Sequence, residues 1–150
     1  MRKIILVLIF LLLNNCGFTP LYSSKNSNYK VISIEKNISN NLTNYIQNSI
    51  SVLSNENSEK NFKINFDFLE DIAVILKDSK GNPKKNRLTI NVNLSLFSED
   101  QSLITLKEFS ESFEYSIQDN KFNLKQYEKN IKFNLVEDIT KQILVFLASV

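Results

Sequence analysis

Few side chains in this 150-residue sequence could do chemistry, because it has no histidine and a single cysteine, Cys16. Nucleophilic sites that pair Ser or Cys with His, and the usual zinc sites, need residues that are missing here. The candidate carboxylates are three adjacent pairs: Glu70–Asp71, Glu99–Asp100 and Glu137–Asp138. Neighbours on a strand point to opposite faces and neighbours on a helix diverge by about 100°, so no pair converges on one substrate atom. The two glycines form no phosphate-binding loop. We therefore expect no enzyme activity, no metal site and no cofactor.

Cys16 follows a segment that is typical of export signals. Arg2 and Lys3 precede an apolar run of ten residues, 4–13, which is too short for a transmembrane helix of about 20 residues. A charged start followed by a short apolar run is typical of a secretory signal peptide. Leu13 lies three residues before Cys16. This is the spacing of a bacterial lipobox, in which the thiol takes a diacylglycerol and the chain is cut before the cysteine.

A plain signal peptide that leaves a stray free cysteine is the alternative interpretation. Asn15 is larger than the small residue usual before a lipobox cysteine, whereas a lone secreted thiol is itself unusual. The lipobox interpretation predicts a signal peptide at 1–15, a lipidated N-terminus and tether at 16–29, and one folded domain at 30–150. Two or more acyl chains suffice for stable anchoring in a membrane. An Asp directly after the lipidated cysteine commonly retains bacterial lipoproteins in the inner membrane. Position 17 is Gly, so we expect this protein in the outer membrane.

The charge of the mature chain argues against nucleic acid as a partner. The full sequence has 18 Lys and Arg against 16 Asp and Glu, and two of the basic residues lie in the predicted signal peptide. The remaining chain is therefore neutral, with 16 charges of each sign. A neutral chain lacks the basic excess that nucleic-acid binding usually requires.

One stretch is locally basic, at residues 77–87. It is predicted to be a hairpin tip with five cations and one acid, and its candidate binding residues are Lys80, Lys84, Lys85 and Arg87. An ordinary solvated turn is one interpretation. A contact with the phosphates of an anionic glycolipid is the other, because Lys and Arg form charge-assisted hydrogen bonds with phosphate.

Apolar periodicity predicts six elements in the order β-α-β-β-β-α. Spacings of three and four predict helices, and alternation predicts strands. The expected elements are a strand at 30–35, a helix capped by Ser39 or Asn40, a strand at 62–77, a hairpin loop at 78–86, strands at 87–96 and 103–117, and a final helix capped by Asn120 or Asn123. A change of apolar phase in the last strand predicts a β-bulge near Lys107.

This order predicts an α+β fold, a two-layer sandwich with two helices packed on one face of a mainly antiparallel sheet. Ile72, Val74 and Leu76 are expected on the apolar sheet face, where Glu70 is a misfit. The other face is polar and largely uncharged in the strand at 87–96, and its members are Thr89, Asn91, Asn93 and Ser95. Such a face suits water or a polar protein wall.

Two segments resemble the LptE family of lipopolysaccharide-assembly lipoproteins, in its alphaproteobacterial form. The first is Cys-Gly-Phe-Thr-Pro-Leu-Tyr at 16–22, and the second runs from Phe-Glu-Tyr-Ser at 113–116 to Asp-Ile-Thr-Lys-Gln-Ile at 138–143. Arg87, ahead of the alternating strand, is also similar to the family pattern. Asn14 and Asn15 depart from the family's small residues before the cysteine.

The resemblance implies a non-enzymatic outer-membrane lipoprotein. Members of this family plug the lumen of the LptD β-barrel, assist its assembly and bind lipopolysaccharide on its way to the cell surface. The competing class is a generic outer-membrane lipoprotein that serves as a structural or adaptor module of another envelope complex. A large β-barrel that co-purifies with the protein would distinguish the two.

We predict that Cys16 is the lipidated first residue of the mature chain. Cys16→Ser should stall processing or release the protein from membranes, because no acyl chains would be attached. Membrane fractionation and intact-mass analysis measure the two effects. A wild-type mass without acyl chains, or one that begins at another residue, would contradict the prediction.

Overall fold

The computed structural model describes residues 28–150, so Cys16 and most of the predicted tether lie outside the described residues. The elements are β1 (Lys30–Lys36), α1 (Asn41–Val52), β2 (Asn61–Lys77), β3 (Pro83–Phe97), β4 (Leu103–Ser116) and α2 (Lys121–Ser149). Their order and the α+β class agree with the sequence-based prediction.

The four strands form one sheet in the order β1-β2-β3-β4. β2, β3 and β4 are antiparallel neighbours joined by tight turns. β1 pairs parallel to the first part of β2, from Lys30 opposite Asn61 to Lys36 opposite Phe66. A parallel pair needs a crossover, which α1 provides. The sheet is therefore a three-stranded meander with one short parallel strand at its edge.

Alternation along the strands sends one set of apolar side chains into the core. On β2 these are Phe62, Ile64, Phe66 and Phe68, and on β3 they are Leu88, Ile90, Val92, Leu94 and Leu96. Both helices cover this face of the sheet. Because successive side chains point to opposite faces, Thr89, Asn91, Asn93 and Ser95 lie on the uncovered face, as the sequence predicts.

α1 begins with a capping box. The side-chain oxygen of Asn40 accepts hydrogen bonds from the backbone N–H groups of Leu42 and Thr43, and Thr43 Oγ1 accepts one from Asn40 N at 3.0 Å. These bonds satisfy N–H groups that a helix start otherwise leaves unpaired. Thr43, Ile46 and Ile50 are the buried residues of the helix.

α2 is capped by Asn120, and its 29 residues span about 43 Å at 1.5 Å per residue. Its buried stripe follows the predicted spacing of three and four, with members Ile131, Leu135, Val136, Ile139, Thr140, Ile143 and Leu147. The hydroxyl of Tyr115 on β4 donates a 2.6 Å hydrogen bond to Glu128 on α2. Burial, followed by this bond, raises the pKa of Tyr115 to about 12, so the hydroxyl keeps its proton across the physiological range.

Glu70, the acidic misfit on the apolar side, is paired. Its carboxylate accepts from the Lys132 ammonium of α2, and the side chains of Glu70 and Lys132 remain 31% and 25% exposed. Loss of water around a partly shielded carboxylate is offset when a cation pairs with it. The acidic residue on the core side of β2 is therefore paired by a lysine that α2 supplies.

The structure corrects the expected positions of the hairpin loop and the β-bulge. Residues 83–86 belong to β3 rather than to the loop, because their pairing with β2 and β4 continues. No bulge occurs near Lys107, since the β3–β4 register runs without a shift from Thr105 to Ser116. The apolar phase changes because Leu106 lies opposite Ser95 on the polar face, where it is exposed. The irregularity of this pair lies nearer the turn, between Leu103 and Thr105.

The far half of β2 is not buried, contrary to expectation. Ile72 and Val74 share the core face but are 41% and 45% exposed. A register shift after Val74 places Leu76 opposite Lys85, so Leu76 leaves that face. Alternation predicts which face a residue occupies, but it does not predict whether another element covers that face.

We predict that packing of α2 on the sheet stabilises the domain. Ile139 is completely buried, so Ile139→Ala should lower the free energy of unfolding by about 2–5 kcal/mol through lost burial and a residual cavity. Chemical denaturation measures this change. Val145→Ala removes apolar atoms from an exposed position of the same helix and should have little effect. An unchanged denaturation midpoint for Ile139→Ala would contradict the packing described above.

Candidate functional site

The turn between β2 and β3 is organised by Asp78. Its Oδ1 accepts hydrogen bonds from the backbone N–H groups of Lys80 and Asn82, both at 2.9 Å, and its Oδ2 accepts one from Asn82 Nδ2 at 3.0 Å. Gly81 has φ +84, in the left-handed region that favours glycine. The tip is therefore a defined turn rather than an irregular loop.

The carboxyl group of Asp78 titrates below its usual range. The hydrogen bond from the Asn82 side chain contributes most to the lowered pKa, followed by the backbone N–H of Asn82, and the nearby Lys84 ammonium adds a small effect. A lowered pKa means that folding favours the charged form, so this stabilisation is present above the unfolded pKa and is lost as the pH falls through the folded one. The turn is thus ordered by an ionised carboxylate at neutral pH.

The four basic candidates do not form one group. Lys80 lies in the turn, while the other three lie on β3. Alternation places Lys85 and Arg87 on the uncovered sheet face and Lys84 on the opposite face. The four side chains are therefore close in sequence but point in different directions, so the predicted cluster is divided.

Glu114 of β4 neutralises part of this charge. Its Oε1 accepts from Arg87 Nη2 at 2.7 Å, and its Oε2 lies 3.4 Å from Lys85 Nζ. The hydrogen bond from Arg87 contributes most to the lowered pKa of Glu114. Such exposed pairs are weak and exchange readily with water or another anion. Within residues 28–150, Lys80 and Lys84 make no ion pair, so these two cations are free to meet an external phosphate.

The adjacent carboxylates do not converge on a substrate position. Glu70 is bound by Lys132 on the helix side of the sheet, and Asp71 points to the other face. Glu137 and Asp138 both contact Lys141, at 3.1 Å each. The described residues contain no group of three acidic or sulfur-bearing side chains able to hold a metal ion.

The uncovered sheet face carries polar side chains in rows that cross the strands. One row is Asp67, Asn93 and Glu108, and the next contains Asn91 and Ser110, whose side-chain oxygens lie 2.6 Å apart in a hydrogen bond donated by the serine. No helix of the described chain packs on this face. Its hydroxyl and amide groups can form hydrogen bonds with a polar partner.

An apolar cleft lies between the two helices, and it was not predicted from the sequence. It has a volume of about 510 Å³ and is lined by Tyr45, Asn48, Ser49, Val52, Leu53, Lys141 and Leu144. Val52 lines the cleft and is a possible sequence signal, since it is an apolar residue on the solvent side of α1. Neither described helix combines the length and the apolarity needed to cross a membrane.

Comparison with known proteins places this fold among solved lipoprotein structures. No family model and no curated protein sequence matches the chain. A minor lipoprotein from Acinetobacter baumannii is similar in structure, with a TM-score of 0.65 and 12% identity, over 82% of this chain and 93% of that one.

Two further structures have the same architecture. Lipoprotein B from Nitrosomonas europaea has a TM-score of 0.63 and 16% identity, over 85% of this chain and 88% of that one. The rare lipoprotein B from Shewanella oneidensis has a TM-score of 0.57 and 8% identity, over 78% of this chain and 95% of that one. At these identities the likeness is one of fold, and the chain therefore shares its fold with several bacterial lipoproteins.

Proposed function

We propose that this protein is a non-enzymatic, lipid-anchored outer-membrane lipoprotein of the LptE type. In this role it occupies the lumen of an LptD-like β-barrel, assists the assembly of that barrel and binds lipopolysaccharide during its export. The observation that carries the proposal is the uncovered polar sheet face, on a fold shared with bacterial lipoproteins.

The proposed anchor is Cys16, which lies outside the described residues. The described chain begins with Asn28, whose carbonyl accepts a 2.7 Å hydrogen bond from Ser58. Tyr29, which ends the predicted tether, is buried and its ring stacks on Phe62 with 6.1 Å between centroids. Residues 17–28 thus lie between Cys16 and the first core side chain.

The barrel contact is assigned to the uncovered sheet face. A barrel lumen is lined by polar side chains, because inward-facing positions alternate with the lipid-facing ones. The hydroxyl and amide groups of Thr89, Asn91 and Ser110 can exchange water for such partners at little cost. Their neutrality also avoids the desolvation penalty of buried charge.

Lipopolysaccharide binding is assigned to the basic hairpin. Lys80 and Lys84 offer free ammonium groups, and Glu114 can release Arg87 and Lys85 to a phosphate, because exposed ion pairs are worth only about 0–1 kcal/mol. Each contact alone is weak, and the four cations lie on different sides of the hairpin, so binding is the sum of several separate contacts. The ordered Asp78 turn keeps the tip in one shape and lowers the entropy lost on binding.

We predict that added bulk on the uncovered face disrupts the barrel contact. Asn93→Trp places a large side chain at the centre of that face, where Asn93 is exposed, so the yield of co-purified barrel should fall several-fold. The measurement is a quantitative pull-down of the acylated protein from detergent-solubilised outer membrane. Asn134→Trp, at an exposed position of α2, serves as the matched control and should retain the barrel. Equal barrel yields from the two variants would overturn the assignment of this face.

We predict that the basic hairpin contributes to lipopolysaccharide binding but not to barrel binding. Replacing Lys80, Lys84, Lys85 and Arg87 together by Gln should weaken lipopolysaccharide binding about tenfold at low salt, if each contributes about 0.3–0.5 kcal/mol. Barrel co-purification should not change. Both effects are measured on protein whose fold is verified by circular dichroism.

The matched control replaces four exposed lysines elsewhere by Gln: Lys107, Lys121, Lys125 and Lys129. It removes the same charge and should leave lipid affinity nearly unchanged. Equal losses in both variants would indicate a general charge effect. Unchanged lipid binding in the hairpin variant would show that the tip is an ordinary solvated turn.

A further inference from the structure

The apolar cleft between α1 and α2 has the properties of a binding site. Val52 and Leu144 line it from the two helices, and Val52 is 69% exposed. Its volume of about 510 Å³ lies within the range of about 300–1,000 Å³ that is usual for ligand pockets. The polar side chains Asn48 and Ser49 also line it. The cleft therefore suits an apolar group that carries one polar end.

The charges beside the cleft argue against an anionic occupant. Among the described residues that line it, Lys141 is the only cation. Its ammonium lies 3.1 Å from Glu137 Oε1 and 3.1 Å from Asp138 Oδ1, so one positive charge faces two negative ones. A lipid phosphate or a fatty-acid carboxylate would meet no unpaired cation here. An uncharged occupant matches the cleft better.

The described chain begins beside the α1 wall of the cleft. Leu53 is the C-cap of α1 and lines the cleft. Two residues further on, Asn55 N donates to Tyr29 O at 2.9 Å. Between them, Ser54 Oγ accepts a 2.9 Å hydrogen bond from Val31 N. The chain therefore enters the domain next to the end of α1.

The chain entry also lies near the end of α2, which forms the other wall. The backbone oxygen of Lys60 accepts from Lys30 N at 2.8 Å, and the ammonium of Lys60 donates to Val150 O at 3.0 Å. Leu144 lines the cleft only six residues before Val150, which is about 9 Å along a helix. Both walls of the cleft thus approach the point where the chain enters.

The residues that precede this point supply an occupant of the required kind. Residues 18–22 are Phe-Thr-Pro-Leu-Tyr, which are uncharged and largely apolar, and residues 23–28 form a polar linker. Six residues span at most about 20–22 Å, which is enough to bring Leu21 and Tyr22 from the chain entry to the cleft. So short a linker gives the segment a high effective concentration there. Tyrosine also matches the lining, because its ring is apolar and its hydroxyl needs a polar partner.

We propose that Leu21 and Tyr22, which lie outside the described residues, bind in the cleft of their own chain. Leu21 fills the apolar part beside Val52 and Leu144, and the Tyr22 hydroxyl meets the polar side chain of Asn48. The contact goes beyond the proposed function, and it depends neither on a barrel nor on lipopolysaccharide.

This contact sets the direction in which the domain extends from its proposed anchor. Cys16 is five residues from Leu21 and stays within about 17–18 Å of it, near the end of α2. The basic hairpin lies at the start of the same helix, because Ile117 N donates to Lys84 O at 3.0 Å. The 29 residues of α2 separate these two ends by about 43 Å. Without the contact, residues 17–28 could span about 40–43 Å, enough for the hairpin to approach the anchor.

Disulfide formation tests the contact in the mature chain. Cys16 is the only cysteine, so Cys16→Ser provides a background without thiols. In this background Thr19→Cys is combined with Asn48→Cys at the cleft, or with Asn57→Cys as the matched control. Asn57 is exposed in the loop that contacts the start of the described chain, so the linker can also reach it. Under mild oxidation the disulfide within one chain should form several-fold faster with Asn48→Cys, as measured by intact mass after quenching.

Two further changes test whether the named side chains cause this preference. Leu21→Ser together with Tyr22→Ser should lower the rate at Asn48 to that of the control, because the binding groups are removed. Val52→Lys places a charge in the cleft and should have the same effect. Val145→Lys changes an exposed valine of α2 outside the lining and should leave the rate unchanged. Circular dichroism verifies that each variant is folded.

Equal rates of disulfide formation at Asn48 and Asn57 would overturn the proposal. A disulfide that joins two chains, seen as a doubled mass, would overturn it in favour of a second copy in the cleft. A rate at Asn48 that persists after Leu21→Ser and Tyr22→Ser would also contradict it.

Discussion

The other features of the domain depend on one constraint: two helices must bury one face of the sheet. The three main strands of that sheet have 14 to 17 residues. β3 lies in the middle of the meander and its five core residues are almost completely buried. In one row across the strands Leu88 of β3 is buried, whereas Ile72 of β2 and Phe113 of β4 on either side remain exposed although they share the core face. A sheet wider than its cover gives the domain both a well-packed centre and an apolar margin.

The second face of the sheet has a different physical character. Hydroxyls and amides dominate its β3 positions, while charged side chains lie on the neighbouring strands, as with Asp67 and Glu108 on either side of Asn93. Burial of neutral polar side chains against a polar partner changes the free energy little in either direction. Such a contact suits a domain that is also attached to the membrane at another point. Together, the proposed lipid anchor at Cys16 and this surface would hold the domain against a polar wall, as the proposed function requires.

The sequence predicted those parts of the fold that depend on periodicity and capping. The six elements, the Asn40 and Asn120 caps and the apolar stripe of α2 follow from local patterns, because helices and half-buried strands have different periods. The prediction of a bulge in β4 was wrong because Leu106 is an apolar residue on a polar face, and alternation alone assigns such a residue to the core. The exposure of Ile72 and Val74 could not be predicted, since it depends on where α1 and α2 end in space. The basic candidates lie in and beside the β2–β3 turn, but their pairing could not be predicted, since Glu114, which contacts Arg87 and Lys85, is distant in sequence and adjacent only through strand register.

The pair formed by Glu70 and Lys132 has a consequence for how α2 chooses its place on the sheet. The apolar stripe of α2 recurs nearly every turn, so a slip of one turn, about 5.4 Å, would still bury similar side chains. The same slip would move the ammonium away and leave a carboxylate facing the apolar layer, which is costly. Partly buried ion pairs of this kind add little net stability, because the desolvation of both charges offsets much of their attraction. The single acidic residue on the core side of β2 has its partner only in the observed helix position, so the pair favours that position over one that differs by a turn.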